Sequence, residues 1–308
     1  MKPFTAKLLA FALPFSILLA GIAPSRADEV ESIEETQESL DELLVKMSGK
    51  QTVSTRLFSD FLRVGPQYSY FSYKEPGVMS TTGHFFGISG ALTGYDESRF
   101  WRGQLELEFS AGSISYEGGV TSHSADGTSS SRPATASGRD STYEGRATVG
   151  FNRFPNSRMM TTPFAGFGYR RLHDRIEGEG SYGREVTYLF LPLGFDFTRT
   201  VGETSLLTAR LEFDLFLGGT VKSRLSEVDS QFEDLEHRQS SGRGFRGSVA
   251  YAFEAGGSKY RVEPYVRYWS IDDSDVADLR IPQIRRTLQT IEPENSTTTS
   301  GLNLSVSL

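Results

Sequence analysis

Apolar and polar side chains alternate residue by residue from about Val64 to the C-terminus. Trp101, Gly103, Leu105, Leu107, Phe109 and Ala111 alternate with Arg102, Gln104, Glu106, Glu108 and Ser110. Neighbours on a strand point to opposite faces, so this segment has a greasy face backed by a charged one. Leu207, Ala209, Leu211, Phe213, Leu215 and Leu217 repeat the pattern against Thr208, Arg210, Glu212, Asp214 and Phe216. Both runs match a bilayer-crossing strand of roughly 9–11 residues. Ten such segments occur, near 67–74, 84–95, 100–116, 141–153, 163–173, 184–198, 205–221, 243–254, 259–271 and 297–308. An eight-strand count follows only if two strands are wrongly split. Pro192 and Pro264 fall inside strands, where an N–H is normally needed, and local bulges are the expected accommodation.

The connectors alternate as well. Those after even segments are short: Asp96–Arg99, Phe154–Thr162, Arg199–Glu203 and Ala255–Ser258. Those after odd segments are longer: Glu117–Asp140, Asp174–Gly183, Lys222–Ser241 and Asp272–Ser296, with Glu75–Gly83 intermediate. Short turns at one end and long loops at the other, with both termini on the short-turn side, require an even strand count.

A sandwich or lipocalin carries the same stripe with its greasy side inward. The polar faces here hold Arg102, Glu106, Glu108, Glu144, Arg146, Arg170, Asp196, Arg210, Glu212, Asp214, Arg246, Glu263 and Arg267. Their charges nearly cancel, which points to cross-strand ion pairs in an enclosed polar lumen. Closure also removes the edge N–H and C=O groups that lipid cannot satisfy. Trp101, Phe151, Phe197, Tyr251 and Phe253 fall at short-turn ends and Tyr143 and Tyr268 near long-loop ends, as two interfacial girdles would. The predicted class is all-β: an antiparallel up-and-down transmembrane β-barrel of ten strands over 64–308, with a short N-terminal helix.

Residues 1–27 have the form of a secretory signal, with Lys2 and Lys7, an apolar run from Leu8 to Ala20, and Ser25-Arg26-Ala27 before the cut. That run is too short to span a bilayer as a helix. Ile22 stands where a lipidated cysteine would have to be, so cleavage before Asp28 without a lipid anchor is expected. Loss of Lys2, Lys7 and Arg26 takes the formal charge from −7 to −10, because three cations and no acid leave. An acidic balance argues against a nucleic-acid partner, and the absence of cysteine excludes disulfide or thiolate-metal scaffolds. Residues 28–63 form an acidic periplasmic leader; Val30, Ile33, Leu40, Leu43, Leu44 and Met47 line one side of a helix over 28–48. That helix either docks or pairs with a copy of itself, or remains a solvated tail.

Three stretches carry a resemblance: Tyr73-Lys74-Glu75-Pro76-Gly77-Val78-Met79 with Gly83 and Gly87-Ile88, Pro163-Phe164-Ala165-Gly166-Phe167-Gly168-Tyr169-Arg170, and Glu263-Pro264-Tyr265-Val266-Arg267-Tyr268-Trp269 leading into Ile271-Asp272-Asp273-Ser274. On these the chain resembles small Gram-negative outer-membrane β-barrel proteins, an uncharacterised group of eight to ten strands. The resemblance implies an outer-membrane location, contact with lipid and lipopolysaccharide, and assembly by the barrel machinery. It implies no activity. Such barrels often end in an aromatic residue, whereas this chain ends in Leu308.

No catalytic, cofactor or metal residues are expected. Ten-stranded barrels of the omptin type are rim proteases that use Asp and His, which makes the four histidines worth placing. His173 and Asp174 are adjacent and so face opposite ways, His84 is in phase with an apolar face, and His123 and His237 fall in loops. No Asp-x-Asp and Asp-x-His pairing matches the omptin motifs. Asp272, Asp273, Asp275 and Asp278 lack the glycine and terminal glutamate of an EF-hand. Ser124–Ser137 reads as a mobile loop tip. Gly65, Gly87, Gly166 and Gly168 are strand glycines, with no helix following as a phosphate cradle needs. Ten strands leave no wide aqueous channel, which takes about 16. The leading reading is a monomeric barrel with a charge-filled lumen and a structural or surface role. A narrow solute channel is the second reading, and an omptin-like rim hydrolase the third.

Overall fold

The computed structural model describes residues 54–58, 61–123, 129–178, 180–281 and 286–308. The signal, the leader up to residue 53 and its expected helix over 28–48 lie outside them. The described chain belongs to the unit Thr52–Leu308. Ten antiparallel strands close on themselves: β1 (Leu62–Glu75), β2 (Met79–Tyr95), β3 (Trp101–His123), β4 (Ser129–Phe151), β6 (Met159–Ile176), β7 (Gly183–Val201), β8 (Ser205–Ser223), β10 (Gly242–Ala255), β11 (Ser258–Ile271) and β14 (Asn295–Ser307). Sequential strands pair throughout, and β1 with β14 completes the ring. Short additions complete it: β5 (Arg153–Asn156) on β6, β9 (Leu235–Gln239) on β8, and a separate hairpin of β12 (Ala277–Ile281) and β13 (Arg286–Thr290). The first barrel strand begins at Leu62, two residues before the expected start.

Several expected loops are strand instead. β3 runs to His123 and β4 resumes at Ser129, so most of Ser124–Ser137 belongs to a ribbon, paired Ser115↔Ser137 through His123↔Ser129. Small hydroxyl residues suggest a loop by composition, yet an antiparallel partner satisfies their backbone just as well. His123 therefore ends a strand, and His237 lies in β9, buried, with its Nε2 3.1 Å from Thr290 Oγ1.

The prolines are accommodated by missing ladder rungs, with no bulge. Pro192 stays in register with Asp214 on β8, while the β6–β7 pairing skips from Ala165↔Leu193 to Gly168↔Phe190. Pro264 pairs Leu302, and the β10–β11 ladder skips from Ser248↔Tyr265 to Tyr251↔Val262. In both cases the skip is equal on the two strands, so the residue without an N–H faces the side where no rung forms. The bulge in β8 lies elsewhere. Leu189 pairs Gly218 and Phe190 pairs Phe216, leaving Leu217 as the extra residue, with Gly218 at φ +153°. Beyond it the parity of β8 reverses: Val221 and Ser223 turn inward, Lys222 outward.

Candidate functional site: the barrel lumen and its septum

The exterior near the short-turn end is apolar. Leu105, Leu107, Val149, Phe167, Leu193, Leu211, Phe213, Val249 and Leu304 are exposed around the wall. The run from Leu207 to Leu217, at about 3.3 Å per residue on a strand tilted by about 40°, rises roughly 25 Å, the height of a lipid-facing band. Trp101 and Tyr251 are exposed at its lower edge and Tyr68, Tyr70, Tyr143, Tyr169 and Tyr268 at its upper edge. Phe151 and Phe253 complete the lower girdle, Phe151 edge-on to Trp101 and Phe253 stacked between Tyr251 and Tyr260.

Inside this band the charges are packed together. Arg102, Glu106, Glu108, Glu144, Arg146, Arg170, Asp196, Arg210, Glu212, Asp214, Arg246, Glu263 and Arg267 all point into the lumen with little exposure. Arg210 grips Asp196 with two bonds of 2.7 and 2.9 Å and gives Nη1 to both oxygens of Glu106 at 2.9 Å. Arg102 reaches the same Asp196 at 2.7 Å. Arg146 joins Glu212 at 2.9 Å and also contacts Glu144.

The wall itself sets like charges side by side: Glu108 opposite Glu144, and Arg246 opposite Arg267. Such pairs repel. Chords across the lumen answer them, because Arg267 contacts both Glu108 and Glu144 while Arg246 reaches Glu106 and Glu108 at 3.3 Å. The network thus ties β3 and β4 to β8, β10 and β11. Arg63, at 3.2 Å from Glu106, and Arg261, at 3.0 Å from Glu263, also join it. Both are in phase with lumen residues of their strands, Arg63 with Gln67 and Arg261 with Glu263, so the alternation already carried their signal.

The charge packing stops partway up. Above it Phe71, Phe85, Tyr188, Phe190, Phe216, Trp269 and Ile271 turn inward and form an apolar septum. Trp269 is 1% exposed, with the Phe190 ring edge-on at 5.0 Å and Tyr188 at 5.6 Å. Phe71 stacks on Phe85 at 4.9 Å. Gly168 makes room, since a Cβ there would sit 2.1 Å from the Phe190 ring. The lumen is therefore not filled by charge throughout. At this height the exterior is still apolar, at Tyr70, Phe86, Leu189, Leu217 and Tyr268, and it turns polar one outward position further along, at Ser72, Thr187 and Ser270. Below the septum the wall is greasy outside and charged inside; at the septum it is apolar on both faces.

A second polar layer caps the septum. Arg184 is braced by Glu75 at 3.3 Å, Asp174 at 3.9 Å and Glu292, and Tyr73 donates to Glu75 at 2.7 Å. Asp140 lies directly across from Asp174. Glu292, in the connection to β14, has its pKa pushed up to about 7 by burial, with Arg184 opposing and Glu75 assisting. A raised carboxyl pKa means the folded state holds a proton that the unfolded state has lost between about pH 4.5 and 7, so stability falls as pH rises through that window. Protection factors of amides near residues 287–294, with the intrinsic pH dependence of exchange divided out, are expected to be higher at pH 5 than at pH 8. Glu292→Gln should flatten that difference.

The rim histidines are separated as adjacency requires. His173 faces outward, 3.9 Å from Glu185, while Asp174 is buried inside. His84 faces outward with Nδ1 2.8 Å from the Tyr68 hydroxyl. Asp272 accepts from Ser241 Oγ and Asp273 from the Glu294 N–H, both at 2.6 Å. Among the described residues no cluster of His, Asp or Glu has the geometry to hold a metal ion.

Comparison with solved structures gives the fold a place. Over 81% of this chain and 97% of the other, it aligns with the outer-membrane protease OmpT from Escherichia coli at a TM-score of 0.56 and 8% identity. The fold is one typical of outer-membrane β-barrels. More distant matches are the Pseudomonas putida toluene transporter TodX (TM-score 0.33, 10% identity, 83% of this chain and 91% of that) and the β domain of the Bordetella autotransporter BrkA (0.32, 10%, 77% and 98%). No family model and no curated protein matches the sequence.

Proposed function

We propose that the protein is an integral, monomeric outer-membrane barrel with a sealed lumen, whose outward ribbons and loops serve a structural or surface-interaction role without catalysis. The observation that carries this reading is the lower wall, apolar outside and charged inside. An apolar exterior about 25 Å high over a charge-packed interior is stable where lipid surrounds it, and the polar exterior above suits a part that stands in water. Removal of a signal at Ala27, insertion by the barrel-assembly machinery and contact with lipopolysaccharide follow from this placement. The test is to follow the protein into outer-membrane fractions and record refolded protein in planar bilayers. Heat-modifiable migration with no steady conductance is expected; recovery in the soluble periplasmic fraction would contradict it.

A narrow channel is the second reading. It is favoured by two small cavities beside Glu108, one near Arg170 and Ser110 and one near Arg63 and Asn303, each with room for a water or two. Small steady conductance that changes in Arg210 or Glu212 variants would favour it.

A further inference from the structure

One lumen arginine stands apart from the charge network. Arg170 is 5% exposed and, alone among the lumen arginines of the described residues, makes no ion pair. Glu144 faces it across the β4–β6 ladder but turns to Arg146 and Arg267 instead. What the Arg170 guanidinium does have is the Trp269 ring, 6.0 Å away, at the limit of a cation–π contact. With Arg63 and Arg261 joined to it, the lower network has one more arginine than carboxylate among the described residues, and Arg170 is the one left over. A buried charge without a partner is costly.

Arg170 lines the small cavity directly under the septum, where Phe71 and Phe85 supply the apolar part of the wall. Most of the remaining wall can donate hydrogen bonds: Arg267 and the hydroxyls of Ser69, Ser110, Thr142 and Thr299. Ser110 Oγ and Thr142 Oγ1 are 2.8 Å apart, so one hydroxyl hydrogen serves that bond and the other is left for the cavity. Two carboxylates also border it, and each is already held by two guanidiniums. Arg246 and Arg267 hold Glu108, and Arg146 and Arg267 hold Glu144. Glu108 borders the second cavity too, which lies beside Arg63 and nearer the short-turn end.

We infer that the cavity under the septum binds one small monovalent anion, a halide of chloride size, between the Arg170 guanidinium and the Ser110–Thr142 hydroxyls. The anion completes the charge balance that Arg170 leaves open and accepts its N–H groups in charge-assisted hydrogen bonds. Room for only a water or two admits a halide and excludes sulfate, phosphate and organic acids. The septum closes the way from above, so the ion enters from the short-turn side by way of the second cavity. The site draws only on the lumen and holds wherever the barrel sits.

The test folds the full chain in a non-ionic detergent micelle and unfolds it with urea in potassium chloride, bromide or gluconate at equal ionic strength, gluconate being too bulky for the cavity. Both halides are expected to raise the unfolding midpoint saturably, with an unfolding constant about tenfold smaller once halide stands at about ten times its dissociation constant. Arg170→Met should abolish the difference between halide and gluconate. Because it strands no carboxylate, it should unfold in gluconate no earlier than wild type does there. Arg243→Met, at the exposed surface, should keep the full halide effect. Thr142→Val keeps the arginine but removes one hydroxyl, and should weaken halide binding several-fold; it serves as the test on its own if Arg170→Met does not fold. Crystals grown in bromide should show anomalous density beside Arg170. Equal wild-type midpoints in halide and gluconate overturn the inference. So do a halide effect that survives in Arg170→Met or is undiminished in Thr142→Val, and bromide density elsewhere in the lumen with none beside Arg170.

Discussion

Replacing Arg210 by methionine is expected to destabilise the barrel by about 3–5 kcal/mol, the size of effect seen when one partner leaves a buried ion pair. Arg210 answers Asp196 and Glu106 together, and only Arg102 on one side and Arg63 and Arg246 on the other remain afterwards. The loss comes mainly from stranding carboxylates in a water-poor lumen, which costs more than the pair itself contributes. Urea titration of protein refolded in lipid vesicles measures it. Arg243→Met at the exposed surface should change stability by less than about 0.5 kcal/mol. Adding Asp196→Asn and Glu106→Gln to Arg210→Met should recover part of the loss.

The second large effect is at the septum. Phe71→Ala with Trp269→Ala removes two of the largest fully buried rings, at about 3–5 kcal/mol each, and opens the one layer in which the lumen is closed by apolar packing. Planar-bilayer recording should turn from silent to conducting in this double variant. If the charge network alone sealed the lumen, the recording would stay silent. An Arg210→Met variant that remains folded separates the cases in the other direction, because the septum above it is intact.

What was legible in the sequence was whatever kept a clean contrast between faces. On β3 and β8, arginine and glutamate opposite leucine fix both the strand and the side that turns inward. The septum was not legible, because there the contrast vanishes. Tyr70 and Phe71 are adjacent aromatics on opposite faces, and Leu189, Phe190 and Leu191 are apolar on both. The β8 bulge then reverses parity with a single unpaired residue, a change visible only against its partner strand. Composition also misled at Ser129–Ser137, since serine and alanine mark loops only on average and this stretch has a full antiparallel partner. Arg63 fell outside the expected strand range, though its phase with Gln67 placed it inside the lumen.

The central claim is that the lower exterior faces acyl chains. The chain has no cysteine, so single cysteines at Leu107, Leu211 and Val249, and at Lys74 and Arg175 above the band, can each carry an environment-sensitive fluorophore in an otherwise native protein. In vesicles with spin-labelled acyl chains and, separately, aqueous iodide, the first three positions should be quenched by lipid and shielded from iodide, and the last two the reverse. Iodide quenching at Leu107, Leu211 and Val249 with no effect of the lipid label would contradict the claim.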